Sequence, residues 1–217
     1  MLHNWYSFIN LIFIGIFALF PVVNPIGSAF MVNPYLDKLS DTDRKYAIQR
    51  ITIYAFFICI ISLFVGHWIL ELFGISIPVI QIAGGIMICK MGWELLSGDK
   101  KEKTTNVDDG KAIADILFYP LTFPVTTGAG TMSVVFTLSA HSSNANWKTY
   151  LINTTSIVLS IIIMCVMVYL SYSNAKVLVQ KLGNNGKKVI NQISAFLIFC
   201  VGLQIFVTGV KAVFAGH

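Results

Sequence analysis

Two nine-residue stretches place proline, glycine and small hydroxyl residues inside long apolar runs. The first is FPVVNPIGS at residues 20–28 and the second is FPVTTGAGT at residues 123–131. Pro21 and Pro25 are four apart, and Pro120 and Pro124 repeat that spacing. Proline has no N–H, so the carbonyls of Phe17, Pro21, Ile116 and Pro120 lose their helical partners. The chain then resumes helix through Gly27-Ser28 and Gly130-Thr131. The first turn of each resumed helix presents unpaired N–H groups and the positive end of a dipole.

Such an arrangement has a definite chemistry. Helix N-termini suit a carboxylate or another anion. Freed carbonyls suit an ammonium group or a cation. Asn24, Ser28, Thr126, Thr127 and Thr131 add adaptable hydrogen bonds, and Gly27, Gly128 and Gly130 leave the backbone open to close approach. Neither stretch holds an acidic or basic side chain. Charge would therefore be held by backbone groups, which fits a net-neutral zwitterion, an amino acid. The competing reading is a pair of kinks that let helices pack closely. Two copies with the same Phe-Pro start and small-residue finish favour a ligand site over a single packing defect.

The elements that must position these stretches are read from the apolar runs. The chain has 217 residues, 56% hydrophobic and 12% charged. Soluble domains carry about twice that charged fraction. Six apolar runs, at 6–35, 46–70, 75–96, 112–140, 147–172 and 189–214, approach or exceed the ~20 residues of helix that span a bilayer. They lack the period-2 alternation of barrel strands, so the expected class is an all-α polytopic membrane protein. The first run has no basic residue ahead of it and carries two prolines, so it is expected to remain as a span rather than a cleaved signal.

Three helices followed by three more inverts the second set relative to the first. The expected organisation is a first repeat at 1–96, a cytoplasmic linker at 97–111 and an inverted repeat at 112–217. Helices 1 and 4 are then broken near the bilayer midplane. Gln81-Ile82, Cys89 and Gly98 match Gln192-Ile193, Cys200 and Gly209 at one constant offset of 111 positions. Gly84-Gly85 permits a close helix contact.

The net charge of +5 is not a nucleic-acid signal, because it is concentrated in particular connections. Lys38, Arg44 and Lys45 follow span 1, Lys100, Lys101, Lys103 and Lys111 follow span 3, and Lys176, Lys181, Lys187 and Lys188 follow span 5. The other side has Lys148 and Lys211. Basic loops stay cytoplasmic, which puts both termini outside. Lys90 and Glu94 share a helix face in span 3 and read as a pair reaching the interface. Asp115 favours the start of span 4 through the dipole. His67 and Glu71 are one turn apart at the outer end of span 2. All five are candidates for ion coupling, because charge inside a membrane is costly unless used. Arg50 suits a lipid phosphate or a helix cap, and Trp5, Trp68, Trp93 and Trp147 suit the interface. The four cysteines lie in apolar runs without metal-ligand spacing, so no metal or cofactor is expected.

The chain resembles the MarC family, which includes the SnatA-type neutral amino acid transporters. The resemblance is carried by FPVVNPIG at 20–27, FGISIP at 73–78 with IAGG at 82–85, FPVTTGAGT at 123–131 and FCVGLQ at 199–204. It implies a six-helix protein of the bacterial inner membrane and a secondary transporter of the glycine, alanine, serine and threonine class, driven by protons. Ala129, where many relatives have proline, and Lys90 depart from the pattern. The alternative is a channel or uniporter for another small polar solute. An enzyme is not expected, since no acid pair accompanies the hydroxyls of the breaks. Oligomerisation, transport direction and coupling ion stay open.

Overall fold

The computed structural model describes residues 2–97, 116–142 and 146–215. The linker 98–111 and Asp115 fall outside the described residues, as does the side chain of His67. Eight helices follow one another: α1 (Leu2–Val23), α2 (Pro25–Leu36), α3 (Asp41–Leu72), α4 (Ile77–Ser97), α5 (Leu117–Thr126), α6 (Ala129–Ser142), α7 (Trp147–Ser173) and α8 (Ala175–Ala215). No strand occurs among the described residues.

Five stretches are long and apolar enough to cross a membrane. They are Phe8–Leu36, which joins α1 to α2, then Asp41–Gly66, Ile77–Ser97, Trp147–Ser173 and Lys188–Phe214. The pair α5 and α6, bent by 63°, makes a sixth when counted as one span. The spans match the apolar runs closely, because in lipid every backbone polar group must find its partner within a helix. The connection after span 5 is itself helical. It is the first part of α8, and α8 bends at Gly183, where φ 59° and ψ −176° suit only glycine.

Helix starts follow the local sequence. Ser40 caps α3 by accepting from the Asp43 N–H at 3.2 Å, with Asp41 and Asp43 in the first turn. Asn146 caps α7 by accepting from Lys148 N–H at 3.0 Å.

The bundle pairs α1 with α7, α3 with α6 and α7, and α4 with α8. Lipid gives no hydrophobic drive between helices, so small residues and hydroxyl bonds join them. Ser160 on α7 donates to Ile12 O on α1 at 3.0 Å. Ser139 on α6 donates to Leu63 O on α3 at 2.5 Å. Ser133 on α6 donates to Ile80 O on α4 at 3.4 Å. Large apolar side chains such as Phe17, Phe57, Trp93 and Phe196 stay exposed, as a lipid-facing surface requires.

Helices α4 and α8 pack backbone against backbone. A Cβ on Gly85 would lie 2.5 Å from Phe206 N and 2.8 Å from Gly202 O. One on Gly202 would lie 2.6 Å from Cys89 N and 3.0 Å from Gly85 O. A Cβ on Gly92 would lie 2.6 Å from Phe199 N, and one on Gly209 would lie 2.9 Å from Ile82 N. The four glycines fall into two pairs with one spacing of 117 positions, Gly85 with Gly202 and Gly92 with Gly209. Backbone approach, which only glycine allows, sets the register of this contact.

Candidate functional site

The two breaks have similar sequences and different geometries. Helix α1 runs through Pro21 to Val23, and Asn24 stands alone before α2 at φ 45°, ψ 65°. Asparagine tolerates this left-handed conformation better than other non-glycine residues. Its side chain accepts from the Gly27 N–H at 3.1 Å, and its carbonyl accepts from the Ser28 N–H at 2.8 Å. Pro25 occupies the first helical position, where its missing N–H is no loss. The expectation of unpaired amides at this helix start is therefore corrected. Asn24 fills the place an anion would take at Gly27. Ser28 is buried, and its hydroxyl donates to Asn24 O at 2.9 Å.

The second break is deeper. Residues before proline avoid the α region. Tyr119 (φ −125°, ψ 120°) and Phe123 (φ −114°, ψ 122°) are extended, and both following X–Pro peptides are cis. Threonine hydroxyls add bonds to carbonyls five positions back along this winding. Thr122 donates to Leu117 O and Thr126 to Leu121 O, both at 2.7 Å, while Thr127 reaches Thr122 O with its N–H at 2.8 Å and its hydroxyl at 3.3 Å. Thr127 is extended at φ −129°, ψ 95°, as a β-branched residue must be where asparagine could turn left-handed. The 63° bend follows, and α6 begins at Ala129.

At the start of α6, Thr131 is only 1% exposed, and its Oγ1 has no hydrogen-bond partner. A buried orphan hydroxyl is costly and calls for an explanation. Gly130 does not face open space: a Cβ there would meet Ile88 at 2.8 Å and Val22 at 3.0 Å. Gly128 lies against Pro124 O.

Tyr172, near the end of α7, brings the two breaks together. It is fully buried. Its hydroxyl hydrogen-bonds Thr126 Oγ1 at 2.7 Å and lies near the Ser28 side chain. Sequence reasoning missed this residue, because a tyrosine at the end of an apolar run looks like an interface anchor. Beside it lies a small apolar cavity of about 10 Å³, lined by Leu19, Val23, Cys59, Thr126, Thr127 and Cys165 among others. That is room for one water or one methyl group.

The remaining candidates sit apart from this centre. Lys90 and Glu94 form a loose 4.0 Å pair with both side chains well exposed. Glu71 is at the end of α3, exposed. Arg50 donates to Tyr46 Oη at 2.9 Å and lies over its ring. Trp68, Trp93 and Trp147 are all exposed. The cysteines are free thiols. No cluster of metal-binding side chains occurs among the described residues.

Long apolar helices, hydroxyl-stitched interfaces and a lipid-facing apolar surface define a multi-pass helical membrane protein. The model of the MarC family of integral membrane proteins matches residues 9–214, and the chain belongs to that family. It is 26% identical over 209 residues to the inner membrane protein MarC of Escherichia coli O1:K1 / APEC, covering 91% of this chain and 92% of that one. The inner membrane proteins MarC of Escherichia coli K12 and Shigella flexneri are each 25% identical over the same lengths. No solved structure matches the chain.

Proposed function

We propose that this protein is a secondary transporter of small neutral amino acids, working by alternating access in a bacterial inner membrane. The observation that carries this reading is the buried Tyr172, which hydrogen-bonds Thr126 of the second break and lies near Ser28 after the first. Broken helices that meet inside a bundle make binding sites at the midplane of repeat-built transporters. The buried, unpartnered Thr131 hydroxyl at the start of α6 offers a polar group awaiting a ligand. The amides of that helix start favour a carboxylate. The family's membrane character and the relatives' inner-membrane names support the location.

The reciprocal glycine contacts of α4 and α8 support two inverted three-helix repeats, as does the pairing of α1 with α7 and of α3 with α6. The cavity of about 10 Å³ is too small for an amino acid. In this reading the structure is a closed state, and substrate enters when the breaks separate. Protons are the proposed driving ion. The exposed pair Lys90 and Glu94 is a poor relay, which leaves His67, Glu71 and Asp115 as the first candidates.

Counterflow of radiolabelled alanine in liposomes tests the reading. Purified protein should accelerate uptake when unlabelled alanine is loaded inside. Alanine flux that is linear in concentration and shows no counterflow would identify a channel instead.

A further inference from the structure

We propose that Tyr172 ties the two helix breaks to a polar latch between α2 and α3, so that opening the site and releasing the latch are one event. The latch is a closed ring of three side chains. Arg44 Nη1 donates to Asp37 Oδ1 at 2.7 Å, and Arg44 Nη2 donates to Asn33 Oδ1 at 2.9 Å. Asn33 Nδ2 completes the ring by donating to Asp37 Oδ2 at 2.7 Å. Asn33 is 4% exposed and the Arg44 side chain 11%, while the Asp37 side chain, 43% exposed, opens the ring to water on one side. Charge-assisted bonds of this kind are stronger than neutral ones, and only the arginine fork can make both of its contacts at once.

Arg44 Nη2 also reaches the backbone carbonyl of Tyr172 at 3.5 Å. A cation at the last turn of α7 meets free carbonyls and the negative end of the helix dipole. A helix cap alone would explain that contact. What a cap does not explain is the choice of residue. The carbonyl held by Arg44 and the hydroxyl that bonds Thr126, near Ser28, belong to the same tyrosine. Moving the end of α7 away from Arg44 withdraws the hydroxyl from between the breaks. Separating the breaks pulls on the same residue from the other side. Tyr172 is thus a positioning residue, and the small cavity beside Thr126 and Thr127 stays closed while the latch holds.

Cys59 lines that cavity and is 6% exposed, so its alkylation reads opening directly. The full-length protein is prepared with Cys59 as its sole cysteine, through Cys89→Ser, Cys165→Ser and Cys200→Ser. The rate of reaction with N-ethylmaleimide is compared for this background, Tyr172→Phe, Arg44→Lys and the double variant. Loss of one net hydrogen bond corresponds to about a two- to tenfold shift in an opening equilibrium. Each single substitution should accelerate labelling by that factor, and the double variant should be no faster than the faster single. If Arg44→Lys does not purify as a folded protein, Asp37→Asn releases the same ring. Unchanged labelling in Tyr172→Phe, or a double variant whose acceleration is the product of the singles, would overturn the proposal. So would a lowered melting temperature without faster labelling. The inference rests on the transporter reading for its purpose only. Labelling needs no substrate, so its failure is distinct from a failure of counterflow.

Discussion

The Tyr172 hydroxyl lies 2.7 Å from the Thr126 hydroxyl, which itself lies 2.7 Å from Leu121 O. Thr126 has one proton. Donating it to Leu121 leaves the oxygen to accept from Tyr172. One threonine therefore closes the backbone of the second break and receives the residue that spans to the first. Thr126→Val keeps the shape and removes both bonds, leaving the buried Tyr172 hydroxyl without Thr126 as a partner. It should destabilise the protein by about 1–3 kcal/mol, read as a lower midpoint of unfolding in denaturant. An unchanged midpoint would show that water or another group takes the place of the hydroxyl.

Asn24 serves by both its conformation and its cap. Asn24→Gly keeps the left-handed backbone and loses only the bond to Gly27, while Asn24→Ala loses both. Alanine should cost about 1–2 kcal/mol more than glycine, since the left-handed conformation carries that penalty for a residue with a Cβ. Thermal denaturation of the two purified variants checks the order. Equal midpoints would remove the conformational argument.

The seam between α4 and α8 should tolerate no bulk. A side chain at Gly85 meets backbone atoms of α8, which cannot yield without parting the helices. Gly85→Val should fail to give a monodisperse protein. Gly74 has φ 62° but no atom within 4 Å of an added Cβ. Gly74→Ala should cost only about 1–2 kcal/mol of backbone strain. Size-exclusion profiles of the two variants decide this, and a monodisperse Gly85→Val would contradict the reciprocal contact.

How much of this was legible follows from what each feature depends on. The spans were legible, because lipid demands apolar runs of helical length. The positions of the breaks were legible, because proline and glycine act locally. Their unequal shapes were not: Asn24 turns left-handed where Thr127 extends, and that difference also decides which amides are already capped. Arg44 was read as one of several loop cations, since nothing in the sequence brings it to Asn33 and Asp37. Tyr172 needed the bundle, because its partner Thr126 lies 46 positions away in the chain.

The orientation is a separate expectation. Single cysteines at Lys38 and Lys176 should resist an impermeant maleimide in intact cells, and one at Lys148 should react, because basic connections stay cytoplasmic. The opposite pattern would invert the assignment.

Proton coupling predicts that one of His67, Glu71 or Asp115 is needed for pH-driven accumulation but not for counterflow. Lys90 and Glu94, being exposed, should be dispensable for both. Each is neutralised in turn and both activities are measured in liposomes. Full accumulation in every variant would exclude side-chain coupling through these residues.

The most direct test of the site is binding of radiolabelled alanine to purified Thr131→Val. The substitution is nearly isosteric and removes a buried hydroxyl that has no partner in the closed protein. A hydroxyl kept only for packing would be replaced without loss, and stability would hold or rise. A hydroxyl kept for substrate would cost one hydrogen bond in the complex. The account predicts affinity weakened by about two- to tenfold with no fall in melting temperature. Alanine binding at unchanged affinity would contradict it and reduce the paired breaks to kinks that help the helices pack.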